Sequence, residues 1–287
     1  MAETLTELVR AELALPVDPR VARIAEAIAA RHGAASRAVL FYGSCLRESQ
    51  LDGLMLDFYL IVSDYPSAYD KRWLAMANRL IPPNVFPFQH DGLAAKYAVL
   101  SEADFARLNG PETRNVSVWA RFAQPSRLAW ASDAKAREQA EAAVARAAPT
   151  LLAAAARIDG EALLDWWRRA FRLTYSAELR AERKGRAGSV VDSDLGRYAA
   201  FSGPAVAAIP AGAASAGWAR RRIEGKALSV LRLAKASATY AGGADYIVWK
   251  INRHAGTAFE LKPWQRRHPL LGALSLLPRL LRSGAIR

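Results

Sequence analysis

Cysteine is almost absent from this chain. The single thiol, Cys45, allows no intramolecular disulfide and no cysteine-based zinc site, and beside a Gly-Ser turn it reads as a small buried side chain rather than a nucleophile. Long apolar runs are missing too: no stretch of 18 or more apolar residues reads as a membrane-spanning helix. The N-terminus carries Glu3 and Glu7 where a secretory leader would carry basic residues, so the expectation is a protein made and kept in a reducing cytoplasm. Acids are also scarce, 27 against 40 Lys and Arg, for a net charge of +13. The deficit is concentrated from Trp218 onward, where fourteen basic residues meet three acids. Such a segment calls for an anionic partner, nucleic acid or an anionic membrane, and charge alone does not choose between them.

What is present is ordinary globular material: 287 residues, 52% hydrophobic, with eight tryptophans, enough for one large or two modest domains. Two stretches stand out. Val39–Phe41 reads as an apolar strand that runs through Tyr42 into the turn Gly43-Ser44, and Met55–Val62 reads as a second strand carrying one acid, Asp57. A buried strand does not keep a carboxylate without a use. In a nucleotidyltransferase the glycine lets the backbone approach a triphosphate, the serine hydroxyl and the amides that follow bind phosphate oxygens, and the strand carboxylate holds Mg2+. The plainer reading of Gly43-Ser44 is a strand-terminating turn. Such enzymes usually place two acids two residues apart, on one face of the strand. Here the corresponding neighbours of Asp57 are Met55 and Tyr59, so a second metal-binding carboxylate must come from elsewhere, with Asp91 the first candidate and Asp52 its competitor.

In chain order, residues 3–14 and a segment opened by Asp18-Pro19 and closed by Gly33 read as helices, the second with Val21, Ile24 and Ile28 on one face. A helix over 67–80 turns Trp73, Leu74 and Ala77 inward until Pro82-Pro83 ends it, and 84–90 reads as an irregular or edge segment. Lys96 stands among apolar neighbours, either as an edge-strand lysine that guards against aggregation or as a phosphate contact. Ser101 and Asp104 have the spacing of a capping box. Alanine-rich helical spacing then covers 133–157 and 160–183, with Trp167 and Phe171 facing a core and with Glu178 and Arg180 either a surface pair or turned to a cleft. The stretch 203–217 reads as a linker, and 226–240 as an amphipathic helix. The leucines after Pro269, interspersed with arginines, have the pattern of a helix lying in a membrane surface or docked on the protein's own core.

Taken together, these segments resemble the mitochondrial translocator assembly and maintenance family of phosphatidate cytidylyltransferases, as a bacterial-type member. The residues that carry the likeness are Tyr42-Gly43-Ser44, Met55-Leu56-Asp57-Phe58, Asp91 with Lys96–Ser101, Ala120–Pro125 and Thr174–Arg180, in the family's order across roughly residues 39 to 182. A weaker likeness extends over Leu231–Ala236. There are departures: Tyr69-Asp70 stands where the family has Trp-His, Ala98 where it has glycine, and Glu178 where it has aspartate. The resemblance implies an α+β chain with a polymerase-beta-like nucleotidyltransferase domain over 1–130, a mainly helical, winged-helix-like domain over 131–217, and a basic C-terminal region, 218–287, with a membrane-associating helix. It implies Mg2+-dependent formation of CDP-diacylglycerol from CTP and phosphatidate by a protein held peripherally on the inner face of an anionic membrane. In that reading Tyr42, Gly43, Ser44, Lys96 and Arg121 bind the nucleotide, Asp57 with Asp91 or Asp52 holds the metal, and Asp57, Lys96 and Arg180 serve catalysis. The alternatives are transfer to another phosphorylated acceptor or to RNA, and a non-catalytic nucleotide- or lipid-binding protein on the same fold; nucleic acid is the less favoured partner.

Overall fold

Apolar residues alternating along five short segments build a mixed sheet in the order β3-β4-β2-β1-β5, with β1 Ser36–Tyr42, β2 Met55–Val62, β3 Asn84–His90, β4 Leu93–Ser101 and β5 Ser126–Ala131. The computed structural model describes residues 3–47, 50–178, 190–212 and 217–239, with a short piece at 260 and 262–264. Strand β2 pairs with β4 in parallel, and every other neighbouring pair is antiparallel. Successive side chains point to opposite faces, so one face carries Val39, Phe41, Phe58, Leu60 and Val99, and the other Leu40, Tyr59, Ile61, Ala98 and Leu100. Both faces are covered, which is why the central strands read as nearly unbroken apolar runs.

The first face is covered by α2 (Pro19–His32), which buries Val21, Ile24 and Ile28. Its start and stop are those the sequence spells out: the Asp18 carboxylate accepts from the Arg20 amide at 2.8 Å, Pro19 occupies the first turn, and Gly33 ends the helix at φ +53°. Helix α1 (Leu5–Leu13) opens with a reciprocal Thr4–Glu7 capping box. Between β2 and β3 the chain forms α3 (Tyr65–Ala68) and α4 (Arg72–Leu80). Here one expectation is overturned, because Trp73 is 46% exposed, and Met76 and Leu80 on the same side are exposed as well. The inward anchor of α4 is polar: buried Asn78 donates to the Val99 carbonyl at 3.0 Å and accepts from the Asn84 amide. That pair of bonds turns the helix so that its tryptophan faces outward.

The second face is covered by α5 (Glu102–Asn109, capped by Ser101), α6 (Trp119–Phe122), α7 (Ala134–Ala145), α8 (Ala147–Ala155) and α9 (Leu163–Ala177). Trp167 and Phe171 of α9 are fully buried, and Tyr198 of α10 (Leu195–Ala207) stands edge-on to Trp167 at 5.1 Å. The stretch read as a linker is thus partly helix. Helix α10 continues through Pro204 because Phe201, Ser202 and Ala205 around it are buried, and packing outweighs the bond that proline removes. One apolar cluster runs from Leu5 through the sheet to Ala205, so no break in the core marks residue 130. Past Ala131 the regular structure among the described residues is helical.

The last of these helices, α11 (Trp218–Thr239), crosses α9 where Gly225 faces Ala177, so closely that a side-chain carbon at 225 would fall on the Ala177 carbonyl oxygen. Buried Arg221 donates to the Thr113 carbonyl at 3.3 Å and the Arg114 carbonyl at 2.9 Å. Part of the C-terminal positive charge is therefore taken up inside the molecule. The amphipathic helix expected after Pro269 lies outside the described residues, and among these no helix is long and apolar enough to cross a membrane.

Candidate functional site

Strand register brings the site together. Tyr42 on β1 is the partner of Asp57 on β2, and Asp57 is the partner of Lys96 on β4. Partners in register point to the same face, so three strands deliver a phenol, a carboxylate and an ammonium side by side. Lys96 Nζ lies 2.8 Å from Asp57 Oδ1, with both side chains 25% exposed. The edge-strand reading of Lys96 fails, because β4 runs between β3 and β2 and the edge belongs to β3. That edge position is what lets β3 carry Pro87 opposite Lys96.

The turn after β1 closes over the carboxylate. Gly43 sits at φ +97°, a conformation that L side chains rarely adopt, and a β-carbon there would stand 3.4 Å from Asp57 Oδ2. The missing side chain thus leaves a ledge of bare backbone against the acid. Asp57 Oδ1 is buried, and the Lys96 ammonium at 2.8 Å is the charge that balances it. Ser44, exposed, begins a 3-10 helix of only four residues, Ser44–Arg47, too short to present a row of free amides.

A cavity of about 160 Å³ opens above the sheet, spanning β1 to β3, floored by Tyr42, Tyr59 and Ala98 and lined by Lys96, Arg121, Arg232 and Lys235. Arg121, on α6, donates to the Ser117 carbonyl and lies 3.4 Å from Glu178 Oε1 at the end of α9. Burial is the largest single influence on Arg121 and acts to lower its pKa, but the Glu178 carboxylate together with Tyr59 and Tyr42 outweighs it, and the net shift is upward. Burial first, and then the Asp57 charge, pushes the Tyr42 phenol well above its ordinary value; burial does the same to Tyr59. Both remain neutral hydrogen-bonding groups at physiological pH.

Arg232 and Lys235 enter from α11, three residues apart and so on one side of it. Arg232 Nε donates to the Pro82 carbonyl and Nη1 to Ser117 Oγ, each at 2.8 Å, while Nη2 is buried without a partner. Lys235 donates to the Ile81 carbonyl and, at 2.8 Å, to the Pro83 carbonyl. Burial, reinforced by Arg232, lowers its pKa to about 7. Neither residue has a role in the sequence reading, and the signal available for them was two cations at helical spacing inside the weaker likeness at Leu231–Ala236.

The other expected residues are placed as follows. Asp91 lies in the β3–β4 turn at φ +49° and pairs with Arg23 of α2 at 2.8 Å, a bond that holds its pKa down. It therefore stands towards the face opposite Asp57, and β4 begins three residues, about 10 Å, before Lys96. Asp52 is exposed and 3.5 Å from Arg20, also on α2. Neither joins Asp57, and among the described residues no group of three or more His, Cys, Asp or Glu could hold a metal ion. Arg180 lies outside the described residues. A divalent ion at Asp57 still fits the donor set when most ligands come from phosphate and water, as Mg2+ accepts with one or two carboxylates. Asp57 Oδ2, which faces the bare ledge at Gly43, is the feature that suits it. No family model matches the chain, and no curated protein matches it.

Proposed function

We propose that this chain transfers a cytidylyl group from CTP to phosphatidate, giving CDP-diacylglycerol and pyrophosphate, on a polymerase-beta-like nucleotidyltransferase fold with a helical, winged-helix-like second part, at an anionic membrane surface. The observation that carries the reading is the Asp57 carboxylate, set against the bare turn at Gly43, in register with Lys96, and bordered by a cationic cavity. The choice of cytosine and of a lipid acceptor comes from the resemblance at Tyr42–Ser44, Met55–Phe58, Lys96–Ser101, Ala120–Pro125 and Thr174–Arg180.

In this reading the Gly43 backbone and the Ser44 hydroxyl cradle the triphosphate while Asp57 holds Mg2+ against it. When bound, the ion neutralises charge on the phosphates and on the departing pyrophosphate. Lys96 balances Asp57 in the free protein and stands where it can follow phosphate charge; Arg121 adds a second cation fixed by Glu178. An oxygen of the lipid phosphate attacks the α-phosphorus in line, the bond from that phosphorus to the β-phosphate's bridging oxygen breaks, and pyrophosphate leaves with the electron pair. A phosphomonoester has a second pKa of about 6, so it reaches the site as a dianion and needs no general base. That suits a site with one carboxylate. The same sparseness favours, as a second reading, a nucleotide-binding protein without transfer activity.

The test is incubation of the full chain with labelled CTP, Mg2+ and phosphatidate vesicles, with CDP-lipid and pyrophosphate as the readouts. Asp57→Asn keeps the side chain's shape and removes its charge, and CDP-lipid formation is expected to fall by at least about 100-fold, the equivalent of several kcal/mol of lost charge stabilisation. Full CTP-dependent pyrophosphate release by that variant would falsify the assignment. Binding of CTP with no release in the wild-type protein would establish the second reading.

A further inference from the structure

The cavity beside Asp57 holds more positive charge than its own acids answer. Four cations line it, and the acids around it are engaged elsewhere, Asp57 with Lys96 and Glu178 with Arg121. Among the described residues Arg232 and Lys235 form no ion pair, and their partners are neutral: two backbone carbonyls for Lys235, one carbonyl and one hydroxyl for Arg232. A buried guanidinium with Nη2 unbonded is costly unless something completes its hydrogen bonds. Arg232 Nη2 is the nitrogen left to donate to a phosphate oxygen in a charge-assisted bond, and a lysine three residues away supplies a second charge. The cavity, about 160 Å³, has room for a phosphate group.

The surroundings indicate what the phosphate is attached to. Arg232 and Lys235 grip the carbonyls of Ile81, Pro82 and Pro83, the segment that directly follows α4. On α4, Trp73, Met76 and Leu80 form an exposed apolar stripe, 46%, 63% and 71% exposed, with Arg72 and Arg79 on the same short helix. Large apolar side chains flanked by basic ones suit the boundary of an anionic lipid layer. The cationic cavity and the apolar stripe are therefore joined through one turn of chain. We infer that Arg232 and Lys235 form the seat of the acceptor's phosphate, and that the exposed stripe on α4 meets the lipid layer from which the acceptor comes. This rests on the transfer reading, which requires an acceptor phosphate beside the nucleotide. The two residues are binding residues for that phosphate, and Arg232 meets it through Nη2.

The test measures binding, so it does not depend on turnover. Full-length wild-type protein and Arg232→Gln are titrated with water-soluble dihexanoyl phosphatidate, with inorganic phosphate and with CTP plus Mg2+. The expected result is a loss of tenfold or more in dihexanoyl phosphatidate affinity in the variant, with CTP affinity within twofold of wild type. Unchanged phosphatidate affinity, or an equal loss for CTP, overturns the inference. A measurement on wild-type protein alone guards against misfolding of the variant: peptide-resolved reductive methylation of Lys235 is expected to slow severalfold with dihexanoyl phosphatidate and to be unaffected by CTP. Protection by inorganic phosphate at the same concentration and to the same degree overturns the lipid assignment. If no CDP-lipid forms yet Arg232-dependent phosphatidate binding is found, the seat stands and the transfer reading falls.

Discussion

Replacing Gly43 with alanine separates the structural cost of the turn from its use. The backbone there has φ +97°, beyond the left-handed well, so an L side chain brings strain of about 1–2 kcal/mol. Crowding adds little, because the new carbon would stand 3.4 Å from Asp57 Oδ2 and 3.7 Å from Asp57 Cβ, ordinary contact distances. For a chain of this size that strain lowers the melting temperature by a few degrees, at about 2–4 °C per kcal/mol. Function should suffer far more, since the methyl group fills the ledge beside the carboxylate where a triphosphate has to lie; a tenfold or greater loss of CTP affinity in the presence of Mg2+ is expected. Gly160→Ala is the control. Gly160 has φ +77°, and a β-carbon added there would meet nothing within 4 Å, so it carries comparable strain far from the site. The assay pairs differential scanning fluorimetry with CTP titration of both variants. If Gly43→Ala binds CTP as tightly as Gly160→Ala does, the turn is not a phosphate ledge and the role given to Gly43 is refuted.

Two further outcomes follow from α11. The Lys235 ammonium has a pKa of about 7 in the folded chain against 10.5 when free of burial, so between those values the unfolded chain holds a proton that the folded one lacks, and stability rises with pH across that window. At 1.36 kcal/mol per unit the effect amounts to about 5 kcal/mol at most; urea unfolding at pH 7.5 and 9.5 should show wild type gaining stability relative to Lys235→Met, and parallel curves would show that the ammonium is not buried. Gly225→Ala should force α11 off the Ala177 carbonyl, cost about 1–3 kcal/mol through overpacking, and make residues 217–239 more accessible to limited proteolysis; an unchanged cleavage pattern would count against the tight crossing.

Much of the fold was legible because local chemistry and global packing agree. Asp18, Pro19 and Gly33 bound α2 where turn and cap preferences put them, and the apolar runs at 39–42 and 55–62 mark β1, which starts three residues earlier, and β2. The failures are places where a tertiary contact decides. Trp73 faces solvent because Asn78 anchors the helix from its other side, and Pro204 sits inside a helix because its neighbours are buried. At the site, strand register and the Gly43 turn set Tyr42, Gly43 and Lys96 beside Asp57, and Arg121 lines the same cavity as Tyr42 and Lys96. Asp91 and Asp52 do not, since their partners on α2 could not be read from spacing. Arg232 and Lys235 escaped because a basic helix reads as a solvated or anion-seeking surface, and only packing shows that their charges turn inward onto carbonyls.

The bond from Lys235 to the Ile81 carbonyl joins residues 154 positions apart in the chain. The strands, the glycine turn and the acid are all translated before the helix that walls the cavity emerges from the ribosome. A nascent chain halted short of residue 217 would carry the Asp57–Lys96 pair open to water on that side, with no enclosed space above it. The cavity is thus assembled only once the chain has been made through α11, long after the strands that floor it.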